Sequence, residues 1–281
     1  MSEESISLIV AVYERARVLE LVLASLEQQS FSNFEVVLAD DGSSPEIASI
    51  ANDWVERAGR PVRHIWHEDK GFRKTIVVNQ AVAKSTGDYL IFMDGDCILH
   101  HRFVERHFAR RRRGRALSGR RVMLDAALTA RVTLDDVRSR RIERPSFWWR
   151  HAPAHDRRNG VYVPAAFGWR GGFNPRYEIL GCNFSLYRGD FLKVNGYDER
   201  IVGRGMEDVN LRTRLLNSGV SVHSISQEAL QFHCQHGNDG FPHDPEAVER
   251  WRDTKEIRAP RGVIKSSSTR GRTAGVLRCA E

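Results

Sequence analysis

The sequence predicts an α/β fold with a mostly parallel central sheet and helices on both faces. Four short apolar runs, rich in β-branched residues, recur within the first hundred residues. Segments with helical periodicity separate these runs, so strands and helices alternate along the chain. The runs are continuously apolar instead of alternating with polar residues, which is typical of strands whose two faces are both covered by helices.

The elements of this first part can be placed in order. Strands are expected at 6–12, 34–40, 61–68 and 89–93, and helices at 17–29, 46–59 and 73–87. The first helix places Val18, Leu19, Val22 and Leu26 on one face, which is the spacing of an amphipathic helix. The second helix ends at a glycine, a common helix stop.

The rest of the chain is less regular. Residues 101–176 are rich in arginine, tryptophan, proline and glycine, and only a basic helix near 101–113 is expected there. Regular structure is predicted again at 177–199 and in a helix at 203–219. Two short late strands are expected in "VSVHSI" and "ALQFHCQH". The basic segment 253–281 is poor in large apolar residues, and we expect a flexible tail there.

Composition limits the class of protein. The 281 residues are 41% hydrophobic and 28% charged, as in ordinary globular proteins. The four cysteines are scattered without CxxC spacing, which argues against a disulfide framework or a zinc cage. A leader sequence and a membrane-spanning run are not expected, so a cytoplasmic location is predicted, with peripheral association at the inner face of the membrane as one reading.

The net charge of +7 is unevenly distributed. Residues 101–121 contain nine arginines and one glutamate. Such a segment favours a polyanion, an anionic membrane surface or a phosphorylated ligand, and composition does not choose among them. Together with Trp148 and Trp149, it could form a patch at the membrane interface. The alternative is a solvated basic helix beside tryptophans packed in a small core.

Two acidic motifs follow predicted strands. Asp40 and Asp41 follow the second strand, and Asp94 and Asp96 follow the fourth. Ligands of parallel sheets bind beyond the carboxyl ends of the strands, so both motifs are expected at one rim. They could hold a divalent cation or a polyhydroxylated ligand there. The alternative is a solvated Asp-Gly turn.

A third acidic motif opens the helix predicted at 203–219. Glu207 and Asp208 lie in its first turn, where the helix dipole favours the ionised form of a carboxyl group. A carboxylate that is ionised at neutral pH can act as a general base. The alternative is a pair of acids that only stabilises the helix.

Three segments in this order resemble the family 2 glycosyltransferases: "SLIVAVYERARVLELVLASLEQQSFSNFEVVLADDGSS", "HEDKGFRKTIVVNQAVAKSTGDYLIFMDGDC" and "GCNFSLYRGDFLKVNGYDERIVGRGMEDVNLRTRLLNSG". The resemblance covers about residues 6–236. It implies a GT-A fold, a nucleotide-sugar donor and inversion at the anomeric carbon. The motifs are most similar to those of bacterial enzymes that act on lipopolysaccharide core or other surface glycans. A UDP-linked donor is a preference of the family.

The resemblance assigns roles to the acidic motifs. It implies that Asp96 binds Mn2+ or Mg2+ and that Asp94 faces the ribose or the sugar, while His233 and His236 are candidate further metal ligands or phosphate contacts. For His233 a packed core histidine is the competing interpretation. The donor-binding positions that the resemblance implies are Ala11, Tyr13, Asp40, Asp41, Arg73, Asn79, Asp94 and Asp96.

The acceptor side is also assigned by resemblance. Asp208 is expected to deprotonate the acceptor hydroxyl and Glu207 to orient the acceptor or the base, with Arg204 and Asn183 as acceptor contacts. Relatives often carry Gly-Trp-Gly where this chain has Gly-Arg-Gly, so Arg204 suggests an acceptor with anionic groups or a differently built sugar platform. The QxxRW motif of processive enzymes is missing, because Ala247 stands where glutamine would be. Transfer of a single sugar is therefore expected.

The resulting organisation is one catalytic domain over 1–252 and the basic tail 253–281. Residues 1–100 would form the nucleotide-sugar-binding half, 101–176 a variable insert and 177–252 the acceptor-binding half, which takes a glycan or lipid-linked acceptor. A non-catalytic protein that binds polyanions or membrane surfaces remains the main alternative, and nucleic acid is not expected as a partner. A sugar nucleotidyltransferase ranks last, because "AVYERARV" lacks the glycine-rich pyrophosphate loop.

Overall fold

A computed structural model describes residues 4–163, 178–203, 205–237 and 251–265. Its strands are β1 Ile6–Val12, β2 Glu35–Asp40, β3 Val62–Trp66, β4 Tyr89–Asp94, β5 Cys97–Leu99, β6 Arg115–Ser118, β7 Val122–Met123, β8 Asn183–Tyr187, β9 Ser221–Ser224 and β10 Gln231–His233. Its helices are α1 Ala16–Glu27, α2 Pro45–Ala58, α3 Lys74–Lys84, α4 Phe103–Arg110, α5 Ala126–Arg131, α6 Leu134–Arg138, α7 Pro145–Trp148, α8 Arg188–Lys193 and α9 Glu207–Asn217. None of the described helices has the length and apolar character needed to cross a membrane.

The predicted α/β architecture is confirmed. Over the described ranges, the main sheet has the strand order β3-β2-β1-β4-β8-β6-β9. Strands β3, β2, β1 and β4 are mutually parallel, whereas β8 runs antiparallel to both β4 and β6. The sheet is therefore mostly parallel, and the carboxyl ends of β1, β2 and β4 lie at the same edge.

The core consists of one apolar layer on each face of this sheet. Alternate residues of a strand point to opposite faces, so Leu8 and Val10 of β1 pack against α1 and α2, where Trp54 is fully buried. Ile9 packs on the other face, among residues of α3, α8 and α9. Helices α3 and α9 thus pack on the same face of the sheet, and each begins near the edge formed by the carboxyl ends of β1 and β4.

A second, smaller sheet lies beside the first. Strand β10 pairs antiparallel with β5 and parallel with β7, and His233 lies opposite Cys97. The backbone N–H of Cys234 donates to the carbonyl oxygen of Asp96 over 2.9 Å. This pairing brings the late histidines next to the acidic motif that follows β4.

The insert is more regular than expected. Strand β6 belongs to the main sheet, and α5, α6 and α7 enclose a third apolar cluster. Trp148 is fully buried there and packs against Phe232, with a centroid distance of 5.8 Å, whereas Trp149 is 41% exposed. The expectation that Trp148 contributes to a membrane contact is therefore wrong, because its side chain has no accessible surface. For this residue the alternative, packing in a small core, is the one observed.

Among the described residues, three carboxylates pair with five of the nine arginines of the segment 101–121. The ion pairs are Arg102–Glu105, Arg106–Glu105, Arg110–Glu228, Arg111–Glu4 and Arg113–Glu4. Helix α4 is also shorter than the helix predicted for 101–113. The segment thus contributes less free positive charge than its sequence suggests.

The expected flexible tail differs from the structure over residues 253–265. Ala259 is buried, and its N–H donates to the carbonyl oxygen of Val194 over 2.9 Å. The side-chain amide of Asn195 donates to the carbonyl oxygens of Ala259 and Ile264. These backbone-directed hydrogen bonds compensate for the low apolar content from which a mobile tail was predicted. Residues 266–281 lie outside the described part of the chain.

Candidate active site

A cavity of about 320 Å³ opens at the carboxyl ends of β1 and β4 and at the start of α9. The predicted site residues that line it are Ala11, Tyr13, Asp41, Asp94, Asp96, Glu207, Asp208 and His236. The fold therefore brings residues that are far apart in the sequence to one rim, at the place where sheets of this kind bind ligands.

The turn after β4 lies directly against β1. Asp94 is in register with Ala11, and the N–H of Gly95 donates to the carbonyl oxygen of Ala11 over 2.7 Å. A Cβ atom at Gly95 would lie 3.1 Å from the side chain of Val12 and 3.2 Å from that carbonyl. The small residue allows the turn to approach β1 and places Asp94 and Asp96 at the cavity.

Asp96 is paired with both late histidines. Its carboxylate oxygens lie 3.4 Å from Nε2 of His233 and 3.3 Å from Nε2 of His236. One ligand atom from each of the three residues lies within 4.8 Å of the others. One carboxylate oxygen and two imidazole nitrogens fit Mn2+ better than Mg2+, which prefers oxygen alone. Burial raises the pKa of Asp96, but the hydrogen bond from His236 and the charges of both histidines lower it overall.

Lys74, the first residue of α3, was not predicted as a site residue. Its Nζ lies 2.6 Å from Oδ1 of Asp94, and its side chain lines the cavity. Burial lowers the pKa of Lys74, but the negative charges of Asp94, Asp208 and Glu207 raise it above its usual value. Lys74 is thus a fixed positive charge among three carboxylates. In the sequence it follows "KGFR" and resembles any solvated lysine.

The acidic pair of α9 is held by defined donors. Asp208 accepts hydrogen bonds from the N–H of Gly181 at 2.7 Å and from the hydroxyl of Tyr197 at 2.8 Å. Glu207 accepts from the N–H of Gly205 at 2.7 Å. The structure therefore gives each carboxylate a fixed orientation at the cavity wall.

The ionisation of this pair differs from the expectation. Burial and the charge of Asp208 raise the pKa of Glu207 to about 7, although Lys74 opposes the shift. Burial likewise raises the pKa of Asp208, against the effects of Lys74 and of the hydrogen bond from Tyr197. The helix dipole was expected to keep both groups fully ionised, but loss of solvent outweighs it. A base whose pKa lies closer to neutrality is better matched to proton transfer.

The two aspartates after β2 have different environments. Asp41 lines the cavity and contacts Nε2 of His67 at 2.6 Å and the N–H of Arg73 at 2.8 Å. Asp40 is fully buried, does not line the cavity, and bonds to His64 at 2.7 Å and to the N–H of Ser43 at 2.8 Å. Asp40 thus stabilises the turn, and Asp41 is the member of the pair that can meet a ligand.

Three other predicted donor and acceptor positions do not line the cavity. The guanidinium of Arg73 donates to the carbonyl oxygen of Glu68. Asn79 is buried and bonds to the backbone of Tyr197, and Asn183 is buried and bonds to His107 and to the carbonyl oxygen of Arg120. We therefore do not retain these three in the proposed site. Arg204 lies outside the described residues.

Arg121 is a further site residue that the motifs did not indicate. It lines the cavity, and Nη1 lies 3.3 Å from Sγ of Cys182. Within the described ranges, the arginine has no carboxylate partner inside 4.0 Å. Its sequence signal was hidden because it is one of nine arginines between residues 101 and 121.

Solved structures of similar fold identify the fold class of the protein. A mannosyltransferase from Pyrobaculum calidifontis, solved with GDP-Man and Mn2+, matches with a TM-score of 0.57 and 17% identity over 84% of this chain and 58% of its own. GalNAc-T7, solved with UDP, GalNAc and Mn2+, matches with a TM-score of 0.61 and 12% identity over 84% of this chain and 45% of its own. The protein has the GT-A glycosyltransferase fold, as the sequence resemblance implied.

The sequence comparisons identify the family. The model "Glycosyl transferase family 2" matches residues 7–162, and the model "N-terminal domain of galactosyltransferase" matches residues 170–236. The chain belongs to glycosyl transferase family 2. A similar curated protein is validoxylamine A glucosyltransferase from Streptomyces hygroscopicus, 24% identical over 250 residues, which are 82% of this chain and 56% of that protein. The chain thus spans about half the length of this relative.

Proposed function

We propose that the protein is a metal-dependent, inverting glycosyltransferase. It transfers one sugar from a nucleoside-diphosphate sugar, UDP-linked by preference, to a hydroxyl group of a glycan or glycolipid acceptor. The observation that carries this proposal is that Asp96 and His236, two members of the Asp96–His233–His236 cluster, line the same cavity as Asp208. A cation site for a leaving diphosphate and a base for an incoming hydroxyl are the two components that sugar transfer needs.

Asp96, His233 and His236 would hold the cation. When bound, Mn2+ or Mg2+ neutralises the negative charge that develops on the departing diphosphate. Lys74 and Arg121 add fixed positive charge to the cavity wall, and Asp41 and Asp94 offer carboxylate oxygens to hydroxyl or N–H groups of the donor. These groups bind and orient the donor without being consumed.

Asp208 performs the proton transfer. Its carboxylate accepts the proton of the acceptor hydroxyl, whose oxygen attacks the anomeric carbon as the bond from that carbon to the diphosphate oxygen breaks. The nucleophile and the leaving group occupy opposite sides of the carbon, so its configuration inverts. Glu207, fixed beside Asp208 by the N–H of Gly205, orients the acceptor.

The relatives support the reaction class and leave the substrates to experiment. One relative is named for glucosyl transfer, and the two solved neighbours hold a GDP-linked sugar and UDP. We propose a bacterial surface glycan or lipopolysaccharide precursor as the acceptor class, from the sequence resemblance described above. The proposed location is the cytoplasm, with the exposed arginines and Trp149 as the surface that would meet a membrane.

The test is release of the nucleoside diphosphate from a panel of UDP- and GDP-sugars with Mn2+ present. Asp208→Asn should lose at least about a hundredfold in kcat while still binding the nucleotide, because only the base is removed. Asp53→Asn, on the exposed side of α2, is the control and should match the wild type. A normal kcat for Asp208→Asn would remove this residue from the mechanism. Salt-sensitive binding to anionic vesicles, without nucleotide binding, would favour the non-catalytic alternative.

A further inference from the structure

Two donors from outside α9 contact the carboxylate of Asp208, one on each oxygen. The hydroxyl of Tyr197 donates to Oδ1 over 2.8 Å, and the N–H of Gly181 donates to Oδ2 over 2.7 Å. A carboxylate offers about four lone-pair positions, so each oxygen can still accept one further hydrogen bond. Two donors on two oxygens fix the plane of the group, because rotation about the Cβ–Cγ bond would break both contacts.

The approach of Asp208 to Gly181 depends on the absence of a side chain there. A Cβ atom at residue 181 would lie 2.7 Å from both carboxylate oxygens. Real Cβ atoms do not approach polar atoms this closely, so any larger residue would displace the carboxylate. Gly181 therefore contributes both a donor and the space that Asp208 occupies.

Tyr197 is itself held firmly in place. The side-chain amide of Asn79 donates to its carbonyl oxygen over 2.9 Å and accepts from its N–H over 3.0 Å. Its ring packs edge-to-face against Phe184 and Phe191, with centroid distances of 6.5 and 6.1 Å. Asn79 in α3 thus fixes the backbone of Tyr197, and the two phenylalanines fix its ring. The hydroxyl has little freedom to leave Asp208.

We propose that Tyr197 is a positioning residue for the general base: with Gly181 it holds the Asp208 carboxylate so that the remaining lone pairs face the acceptor hydroxyl. This inference rests on the proposed function, since it needs Asp208 as the base. Tyr197 does not contact the sugar or the nucleotide in this role, because its hydroxyl is occupied by Asp208 and its ring is buried. The proposal also gives Asn79 a function, which is to hold Tyr197.

The hydroxyl of Tyr197 also affects proton affinity. A hydrogen bond donated to a carboxylate stabilises its charged form and lowers its pKa. In the described part of the chain, the charged groups that act on Asp208 include Lys74 on α3, Asp94 on β4 and Glu207 on α9. None of these changes when the hydroxyl alone is removed. Loss of the hydroxyl should therefore raise the pKa of Asp208 and shift the acid limb of the pH–rate profile to higher pH.

The test compares Tyr197→Phe with Tyr89→Phe. Both tyrosines are buried, but the hydroxyl of Tyr89 bonds to Ser185 at 2.6 Å inside the sheet, away from the cavity. Tyr197→Phe should lower kcat about 10- to 100-fold, a range that corresponds to one hydrogen bond to a charged group. The acid limb should rise by about one pH unit. The affinity for UDP with Mn2+ should stay within about twofold of the wild type. Tyr89→Phe should change none of these quantities.

Gly181→Ala perturbs the position of the Asp208 carboxylate in a second, independent way. It keeps the phenol but displaces Asp208, so kcat should fall while nucleotide affinity is retained. Wild-type kcat and pH profile in Tyr197→Phe would overturn the inference, as would a loss of nucleotide affinity equal to the loss of kcat. Failure of the proposed function is a different result: the wild-type protein itself would then release no diphosphate from any donor and bind no nucleotide.

Discussion

Replacing Lys74 with methionine removes the positive charge among the carboxylates of the cavity and keeps a side chain of similar length. Lys74 and Asp94 are 15% and 26% exposed, and their charged atoms lie 2.6 Å apart. Removing one partner of a buried ion pair costs about 3–5 kcal/mol, because the other charge is left uncompensated. Both side chains retain some contact with solvent, so we expect about 3 kcal/mol. In a chain of this size that corresponds to a fall in Tm of about 6–12 °C.

Lys70→Met is the matched control. Lys70 and Glu68 form an ion pair of 2.8 Å four residues earlier, but their side chains are 62% and 70% exposed. An exposed pair contributes at most about 1 kcal/mol, so this variant should stay close to the wild type.

The assay is urea unfolding of both variants at pH 7.5, repeated for the double variant Lys74→Met/Asp94→Asn. We expect the double variant to be more stable than Lys74→Met alone, because the uncompensated carboxylate is gone. Equal stabilities of Lys74→Met and Lys70→Met would refute the view that Lys74 is a required charge of the cavity.

Two further predictions concern pH and metal. The pKa of Glu207 is raised to about 7, so the charged form is penalised in the folded state. Because Glu207 holds its proton more tightly in the folded state than in the unfolded chain, its contribution to the free energy of unfolding is fully present below a pH of about 4.5. That contribution is lost as the pH rises through about 7. Glu207→Gln, which can still accept from Gly205, should thus be more stable than the wild type by about 2–3 kcal/mol at pH 8 and equal to it at pH 4, measured by urea unfolding; no difference at pH 8 would contradict the assignment. His236→Ala should weaken Mn2+-dependent nucleotide binding at least about tenfold, measured by calorimetry. His101→Ala, in the cluster of His100, His101 and Glu143, should leave that binding unchanged, and equal losses in both variants would contradict the assigned metal ligands.

The first half of the fold could be predicted because its signals are local. The strands β1, β2 and β4 are largely apolar runs; Asp41 follows β2, Asp94 is the last residue of β4, and Asp96 lies in the turn after it. The rule that ligands bind at the carboxyl ends of parallel strands therefore places these residues at one rim from the sequence alone.

The contacts that complete the site could not be predicted, because they join residues far apart in the sequence. Tyr197 bonds to Asp208, and its backbone is held by Asn79, 118 residues earlier in the chain. Asn79 has the same sequence signal whether it binds a ligand or another segment of the chain, and this is why it was assigned to the donor. Lys74 likewise has no distinctive sequence signal, and only its contact with Asp94 in the folded chain identifies it as a site residue.

Two segments were misjudged for a related reason. Residues 253–265 have few large apolar side chains, and their order comes from backbone hydrogen bonds to Asn195 and Val194, which leave no periodic pattern. In the insert, a small core around the tryptophans was one of two open interpretations, but the irregular spacing gave no sign of α5, α6 and α7, which enclose it. Polar backbone contacts and short elements are the features that sequence periodicity detects least well.

The central claim is that the cavity binds a nucleoside diphosphate through a cation held at Asp96. Calorimetric titration of UDP, and then of GDP, into the full chain with Mn2+ and again with a chelator tests it most directly. The account predicts binding of a nucleoside diphosphate with Mn2+, UDP by preference, and loss of that binding in the chelator and in Asp96→Asn. Absence of nucleotide binding under both conditions, or binding that the chelator leaves unchanged, would contradict it.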